Sequence, residues 1–381
     1  MRGRDITPRR NSAEQRGPPG GAPRPRGEIT FRNRRAVQAE NDTLRVTATV
    51  EGGHVAEILH KPTGVSPLWI PHWESIEPSC YDPARHLQYG AISEARLLAG
   101  IMGHNLCLDT FGMPSDAEAA AGMPVHGEAP VALYAASSDG RTILLESVFE
   151  RAQIGFQRRI DIEGCVARFT ETLQNLSPSD RPVAWTQHVT LGPPFLQPGA
   201  TRFEVSATRS KVIDTVFNDD LGPQKKGAEF LWPLCPLKNG STSDFRVFTS
   251  EPVSGGFTAH LMDPAREQAF FLAWSPATRL LFGYVWRRED FPWLCRWEEN
   301  HLRTAPPWNG DGLACGMEFG VSPLLEPRRM MVERGRLFGV PTYRWLPARE
   351  RIKVEYCAFA ALSEFMPSSA IWDGANSVSF E

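Results

Sequence analysis

The segment DGRTILLESVFERAQIGFQRRIDIEGCVARFTETL, residues 139–173, decides the fold class of this chain. Asp139-Gly140 and Glu163-Gly164 are turn dipeptides of the kind that join the two strands of a hairpin. Between and after them, apolar side chains recur at about every second position, which is the period of a β-strand with one buried face. The segment therefore predicts three consecutive antiparallel strands, over 142–149, 154–162 and 165–173.

The same patterning continues along most of the chain, with few helical signals. Ser115 is placed to cap a short helix over 116–121, and a second short helix is expected over 327–334. Glycine and proline number 32 each, which fits a chain with many turns. We predict an all-β fold, a large antiparallel β-sandwich with few short helices. Further strands are expected at 44–50, 183–191, 203–207, 256–262, 269–274, 279–286, 293–299, 314–321 and 351–362.

The first 27 residues differ in composition from the rest of the chain. They are basic, rich in proline and glycine, and nearly free of large apolar side chains. Such a segment cannot bury enough surface to offset the entropy of ordering it. We predict a disordered tail over 1–27 and one domain over 28–381, where no linker interrupts the pattern. Arg9-Arg10 is not followed by the apolar region of an export signal, so a cytoplasmic location is expected.

Charge and cysteine content argue against several classes of protein. The 381 residues include 41 basic and 44 acidic side chains, and this near-balance argues against a nucleic-acid partner. No stretch approaches the ~20 apolar residues of a spanning helix, so a membrane partner is not expected either. Seven cysteines without a CxxC pair favour buried, reduced thiols over a disulfide framework or a zinc ribbon.

Strand alternation singles out two titratable residues. In the strand predicted over 183–191, His188 shares a face with small and hydroxylated side chains. In the strand predicted over 314–321, Glu318 lies between two glycines of the same face, which leaves open space around its carboxyl group. Each residue also fits an ordinary exposed side chain on a solvated sheet face.

Further polar candidates lie on two segments that we predict as loops. His104 and Asp109 belong to the glycine-containing segment 100–109, and His126 and Glu128 follow in another such segment. Polar groups on rigid loops are commoner at binding sites than elsewhere. Structural roles, such as a histidine that hydrogen-bonds a backbone carbonyl, are the alternative.

An aromatic-rich region supplies the remaining candidates. Arg296 and Glu298 share one side of the strand predicted over 293–299, and Trp308 follows in a proline-rich loop. Sugar binding requires this combination, because an indole ring covers the C–H face of a sugar while forked polar groups bind its hydroxyls. Core packing is the alternative for any single tryptophan. A metal site is a further alternative without diagnostic spacing, its nitrogen and oxygen ligands being His104, His126, Glu128 and His188.

Four short motifs occur in order along the chain: GGHVAEI at 52–58, followed by Leu68-Trp69; VHGE at 125–128; TQHVTL at 186–191; and GMEF at 316–319. Together they resemble the aldose 1-epimerase (galactose mutarotase-like) superfamily over about residues 30–362. The first motif is similar to the opening hairpin of that family, and the second is similar to its His-Gly-Gly loop, with Glu128 in place of the second glycine. The third motif resembles its histidine-containing strand, and the fourth lies where the family has a late glutamate.

The resemblance implies a galactose mutarotase-like supersandwich that interconverts sugar anomers by acid–base ring opening without a cofactor. It assigns Glu318 as the base and His188 as the acid, on opposite sides of the sugar ring, with His126 as a second donor. Unperturbed glutamate is ionised and histidine partly protonated near neutrality, which suits these roles. The implied partner is a small carbohydrate.

Two other functions remain open from the sequence. Glu298 or Glu299 could pair with Glu318 for glycoside cleavage, which requires carboxyl groups ~5–9.5 Å apart. A non-catalytic carbohydrate-binding protein would keep the sandwich without the chemistry. A phosphorylated sugar would in addition require arginines at the rim of the site, for which 287–288 and 328–329 are candidates.

Overall fold

Strands dominate the computed structural model of this chain, which describes residues 27–215 and 221–381. Their pairing is antiparallel throughout the two large sheets, which confirms the predicted all-β class. The tail predicted over 1–27 lies, except for Gly27, outside the described residues. Within 27–215 and 221–381, no helix has the length and apolar character needed to cross a membrane.

The strands are numbered in chain order. They are β1 Glu28–Phe31, β2 Arg34–Glu40, β3 Leu44–Thr49, β4 Val55–His60, β5 His104–Asp109, β6 Ala135–Ser138, β7 Thr142–Phe149, β8 Ile154–Glu163, β9 Val166–Asn175, β10 Arg181–Leu191, β11 Arg202–Val205, β12 Ala207–Val212, β13 Glu229–Leu231, β14 Leu234–Pro236, β15 Thr242–Asp244, β16 Ser254–Met262, β17 Gln268–Ser275, β18 Leu280–Arg287, β19 Trp293–Asn300, β20 Leu313–Gly320, β21 Arg336–Leu337, β22 Val340–Pro341, β23 Arg344–Leu346, β24 Arg351–Leu362, β25 Ala370–Trp372 and β26 Val378–Phe380. The α-helices are α1 Ala95–Leu98, α2 Asp116–Ala120 and α3 Arg328–Arg334, and 3₁₀ turns lie at Pro78–Cys80, Leu87–Tyr89 and Ala129–Val131.

Two large sheets form the sandwich. Sheet 1 has the strand order β1-β2-β3-β4-β5-β10-β20-β19-β16-β12-β13, with β23 attached to β10. Sheet 2 has the order β11-β17-β18-β24-β9-β8-β7-β6. The segment 139–173 supplies β7, β8 and β9, which pair consecutively in sheet 2 as its turns predict. In sheet 1, by contrast, β5, β10 and β20 come from distant parts of the chain and lie side by side, and β19 pairs with the other side of β20.

The segment 100–109 is a correction to the sequence-based expectation of a loop. His104–Asp109 forms β5, which pairs with β10 in the middle of sheet 1, and all six of its residues are buried. A strand buried on both faces shows no alternation between apolar and polar residues, so its period cannot be recognised in the sequence. The two predicted helices are present as α2, where Ser115 forms a capping box with Glu118, and as α3.

Three apolar layers hold the sandwich together. The largest lies between the two sheets, and a smaller one lies between sheet 2 and the C-terminal hairpin β25–β26. The third layer covers the outer face of sheet 1, where loops bring Trp69 and Trp308 against Phe257 and Trp297 of the sheet. The centre of sheet 1 is therefore covered on both faces. Full burial of a side chain such as phenylalanine stabilises the fold by roughly 1.5–3 kcal/mol.

A charged network crosses the core between the sheets. Arg158 on β8 and Glu171 on β9 form an ion pair of 2.7 Å in which both side chains are almost completely buried. The second oxygen of Glu171 accepts hydrogen bonds from Trp185 Nε1 at 3.0 Å and from Gln187 Nε2 at 2.8 Å, both on β10. Burial would make each of these groups costly if it were unpaired. The network therefore ties sheet 2 to the strand that carries His188.

We expect Arg158→Met to lower the free energy of unfolding by about 3–5 kcal/mol, because it leaves the buried Glu171 without its ionic partner. Arg159→Met is the matched control, since Arg159 follows on the same strand but is half-exposed and pairs with Asp161 near the surface. Such pairs contribute about 0–1 kcal/mol. Urea unfolding monitored by tryptophan fluorescence measures both variants. If Arg158→Met lowers the free energy of unfolding by no more than about 0–1 kcal/mol, as expected for Arg159→Met, the buried pair is not a main source of stability.

Candidate functional site

A cavity of about 470 Å³ opens on the outer face of sheet 1. Strands β10, β19 and β20 contribute His188, Trp297 and Glu318 to its lining, and the covering loops contribute Trp69 and Trp308 among others. Concave sites for small molecules have volumes of about 300–1,000 Å³ and combine apolar walls with a few polar groups. The cavity is therefore the candidate functional site.

His188 and Glu318 form a direct pair at this site. Strands β10 and β20 are in register with His188 opposite Glu318, so both side chains project from the same face. His188 Nε2 lies 3.1 Å from Glu318 Oε1, and both side chains are buried. The two groups adjoin each other, whereas the sequence-based expectation placed them on opposite sides of a sugar ring. A ligand that contacts both members of this pair, here called the dyad, would therefore approach them from one side.

Glycine in β20 makes room for the carboxyl group, as the sequence pattern suggests. A Cβ atom at Gly316 would lie 2.5 Å from Glu318 Oε1 and 3.1 Å from Trp297 Cβ. A side chain at this position would therefore displace the carboxyl group from its place beside His188. Glu318 Oε2 has no hydrogen-bond partner among the described residues, which leaves this atom as an acceptor or donor for a ligand.

Burial changes the protonation expected from the sequence. Desolvation raises the pKa of Glu318 well above its usual range and lowers the pKa of His188 to about 4. Burial therefore favours the neutral form of both groups, in which the dyad shares one proton between a protonated carboxyl group and a neutral imidazole. In this state Glu318 donates to His188 Nε2, and the imidazole proton lies on Nδ1, 3.2 Å from Thr190 Oγ1. Burial thus disfavours the ionised glutamate and the partly protonated histidine that were expected from the sequence.

His126 is held beside the dyad by a strained loop. Its ring lies 5.5 Å from that of His188, centroid to centroid, and its backbone has a left-handed φ of 63°. The following Gly127 is required, because a Cβ there would approach Leu108 O to 1.9 Å. The Gly112 N–H donates to His126 Nδ1 at 3.1 Å, and burial lowers the pKa of His126 to about 3. The neutral ring therefore carries its proton on Nε2, as a donor.

Tryptophans form the wall next to the dyad. The rings of Trp69 and Trp308 are stacked with centroids 5.7 Å apart, and Trp297 meets Trp308 edge-on at 5.9 Å. The Nε1 atoms of Trp297 and Trp308 have no hydrogen-bond partner among the described residues. Of the candidates from the aromatic-rich region, Trp308 reaches the cavity. Trp297, which also lines the cavity, was not among the candidates from the sequence. Arg296 and Glu298 were, and alternation places Trp297 on the opposite side of β19 from both of them.

His104 and Asp109 do not line the cavity. His104 projects between the two sheets, where its ring nitrogens lie 3.0 Å from Tyr284 Oη and 2.9 Å from Gln187 Oε1. Asp109 accepts hydrogen bonds from Arg181 at 2.9 and 2.8 Å and also contacts Arg328. Both residues therefore have structural partners and support the strands around the site.

Arg296 and Glu298 also lie away from the cavity. They pair with each other at 2.6 Å on the face of β19 opposite Trp297, and the Arg296 guanidinium packs over the Phe245 ring at 4.3 Å. Glu298 also accepts a hydrogen bond from Ser254. Alternation alone separates these residues from Trp297, but it does not say which face of β19 carries the cavity.

Glu128 and Glu299 bind backbone groups of loops. Glu128 accepts a hydrogen bond from Ala152 N at 2.9 Å, and Glu299 accepts from the N–H groups of Leu302 and Arg303 at 2.8 and 2.9 Å. Among residues 27–215 and 221–381, no group of three or more histidine, cysteine, aspartate or glutamate side chains is arranged to hold a metal ion.

Comparison with protein-family models gives no match, and neither does comparison with curated protein sequences. Solved structures do match. A candidate aldose 1-epimerase from Klebsiella pneumoniae is 15% identical, with 87% of this chain and 80% of that chain covered and a TM-score of 0.62. A candidate aldose 1-epimerase from Escherichia coli is 10% identical, with 86% and 99% covered and a TM-score of 0.57. A galactose mutarotase related enzyme from Lactobacillus acidophilus is 11% identical, with 86% and 97% covered and a TM-score of 0.55.

These similarities extend over most of each chain, while sequence identity stays between 10 and 15%. At this level of identity the match concerns the arrangement of the strands and not the chemistry of the site. The resemblance inferred from the four motifs is thereby confirmed for the fold. This divergent chain has the galactose mutarotase-like fold.

Proposed function

We propose that this protein is a sugar isomerase of the aldose 1-epimerase type, which interconverts the anomers of a reducing sugar. The observation that carries the proposal is the 3.1 Å contact between His188 Nε2 and Glu318 Oε1 inside a tryptophan-walled cavity of about 470 Å³. A dyad that holds one proton can accept one proton and donate another in the same reaction, as anomer exchange requires. The fold shared with candidate aldose 1-epimerases is consistent with this function.

Ring opening uses two atoms of the dyad, Glu318 Oε2 and His188 Nε2, which would both contact the sugar. Transfer of the shared proton from Glu318 Oε1 to His188 Nε2 produces a carboxylate and an imidazolium side by side. Glu318 Oε2 then takes the proton of the anomeric hydroxyl while Nε2 donates to the ring oxygen. The bond between C1 and the ring oxygen breaks, and C1 becomes an aldehyde carbon.

Ring closure on the other face of the aldehyde reverses these transfers and gives the second anomer. The dyad again holds one proton at the end, so no proton is gained or lost overall. The anomeric oxygen and the ring oxygen are both bonded to C1, so a dyad whose members adjoin can reach both from one side. His126 Nε2 is available to donate to a further sugar oxygen. Acid–base groups of this kind typically contribute about 10²–10⁴-fold to the rate.

Glycoside cleavage receives less support from the geometry. Glu298 lies on the opposite face of β19 from the cavity and pairs with Arg296. Glu299 is occupied by two backbone N–H groups of the following loop. Neither carboxyl group is placed opposite Glu318 across the cavity, as a pair of catalytic carboxylates would be.

We expect Glu318→Gln and His188→Asn each to lower the enzymatic rate of anomer exchange by about 10²–10⁴-fold. The glutamine cannot take the proton of the anomeric hydroxyl, and the asparagine cannot protonate the ring oxygen. Exchange NMR with D-glucose and D-galactose, corrected for the uncatalysed rate, measures the change. Glu355→Gln is the matched control, because Glu355 makes the same chemical change on sheet 2, partly exposed and outside the cavity lining. Unchanged rates in both dyad variants would remove the assignment.

The rate of anomer exchange should stay constant from neutral pH down to about pH 5 and fall as the pH approaches 4. The pKa of His188 is lowered to about 4 by burial, so the dyad gains its second proton, and loses its base, only below that pH. The pH dependence of kcat/KM, measured by exchange NMR after subtraction of acid catalysis by the buffer, tests this. A midpoint near 6.5, the value of an unperturbed histidine, would contradict the neutral dyad.

A further inference from the structure

We propose that the preferred ligand of this cavity is a neutral aldose with a free anomeric hydroxyl and an apolar substituent at the end of the ring remote from C1. The inference rests on the proposed function, because the dyad defines where C1 lies. It concerns the rest of the cavity, which the dyad and His126 do not occupy.

Exposed apolar side chains line the cavity, whereas the dyad in the same cavity is buried. Ile92, Met113 and Leu221 line it although 51, 44 and 65% of their surfaces are exposed to solvent. Phe257 and Leu325 extend the apolar lining towards the sheet. Exposed apolar side chains that share one concave site mark a surface that binds an apolar group. An apolar substituent on the bound sugar would cover these side chains.

Charge argues against a phosphate as the substituent. The arginines at 287–288 and 328–329 are absent from the described lining of the cavity, and three of them pair with carboxylates: Arg287 with Asp290, Arg328 with Asp109, and Arg329 with Glu333.

Arg303 does line the cavity, but it already interacts with an acid and with aromatic rings. It pairs with Glu299 at 3.4 Å and lies over the rings of Trp297 and Trp308 at 5.5 and 5.0 Å. Glu94 lines the same cavity and would repel a phosphate. A neutral substituent therefore fits the cavity better than an anionic one.

Binding of D-glucose, its 4-O-benzyl and 6-O-benzyl ethers, and glucose 6-phosphate to the wild-type protein tests the inference. Isothermal titration calorimetry gives the affinity and exchange NMR gives the rate of anomer exchange for each sugar. We expect at least one ether to bind about tenfold or more tightly than D-glucose, the order of selectivity that one apolar pocket provides. Glucose 6-phosphate should bind no more tightly than D-glucose.

Ile92→Ser should remove most of the preference for the ether over D-glucose. Ile371→Ser is the matched control, because Ile371 is 50% exposed on the C-terminal hairpin, away from the cavity. A preference that survives Ile92→Ser as fully as it survives Ile371→Ser would overturn the assignment of the substituent to this part of the cavity.

The two measurements separate the ligand class from the proposed function. Anomer exchange without any preference for the ethers would overturn the ligand class and leave the isomerase in place. Preferential binding of an ether without anomer exchange would support the ligand class and overturn the isomerase. Absence of both binding and exchange for all four sugars would overturn both.

Discussion

The register between β10 and β20 is the constraint on which the site depends. It places His188 opposite Glu318 across one antiparallel pair, and a slip of one residue would turn one of them into the core between the sheets. The buried ion pair of Arg158 with Glu171 helps to hold this register, because Glu171 also binds Trp185 and thereby links sheet 2 to β10. Breaking such a network leaves charges without partners in an apolar core, so the strand has few alternative positions.

Burial determines the chemistry of the dyad. A carboxyl group and an imidazole on a solvated sheet face would be ionised and partly protonated near neutral pH. The loops that carry Trp69 and Trp308 cover this face, and desolvation raises the pKa of Glu318 and lowers that of His188. Burial therefore favours a neutral dyad that carries one exchangeable proton. This state suits a reaction in which one proton is taken from an oxygen while another is given to a neighbouring oxygen, with no net change.

The same fold supports chemistry only through the side chains placed on it. The cavity combines the polar dyad with apolar lining residues such as Ile92 and Met113. This chain is only 10–15% identical to the solved structures that share its fold. Packing of the sheets requires apolar residues of suitable size and not particular ones, so the residues that line the cavity can differ between proteins of this fold. Differences in the lining of the cavity then change the ligand while the strands stay in place.

The sequence by itself determined the strands with one polar face, the helix cap at Ser115 and the faces of His188 and Glu318, because alternation and capping are local properties. It missed β5, whose burial on both faces hides the period, and it could not say that Arg296 and Glu298 face away from the cavity. Only the tertiary structure decided which strands adjoin and which face the loops cover. Strand order depends on contacts between distant residues, and the protonation of a buried pair depends on everything that excludes water from it.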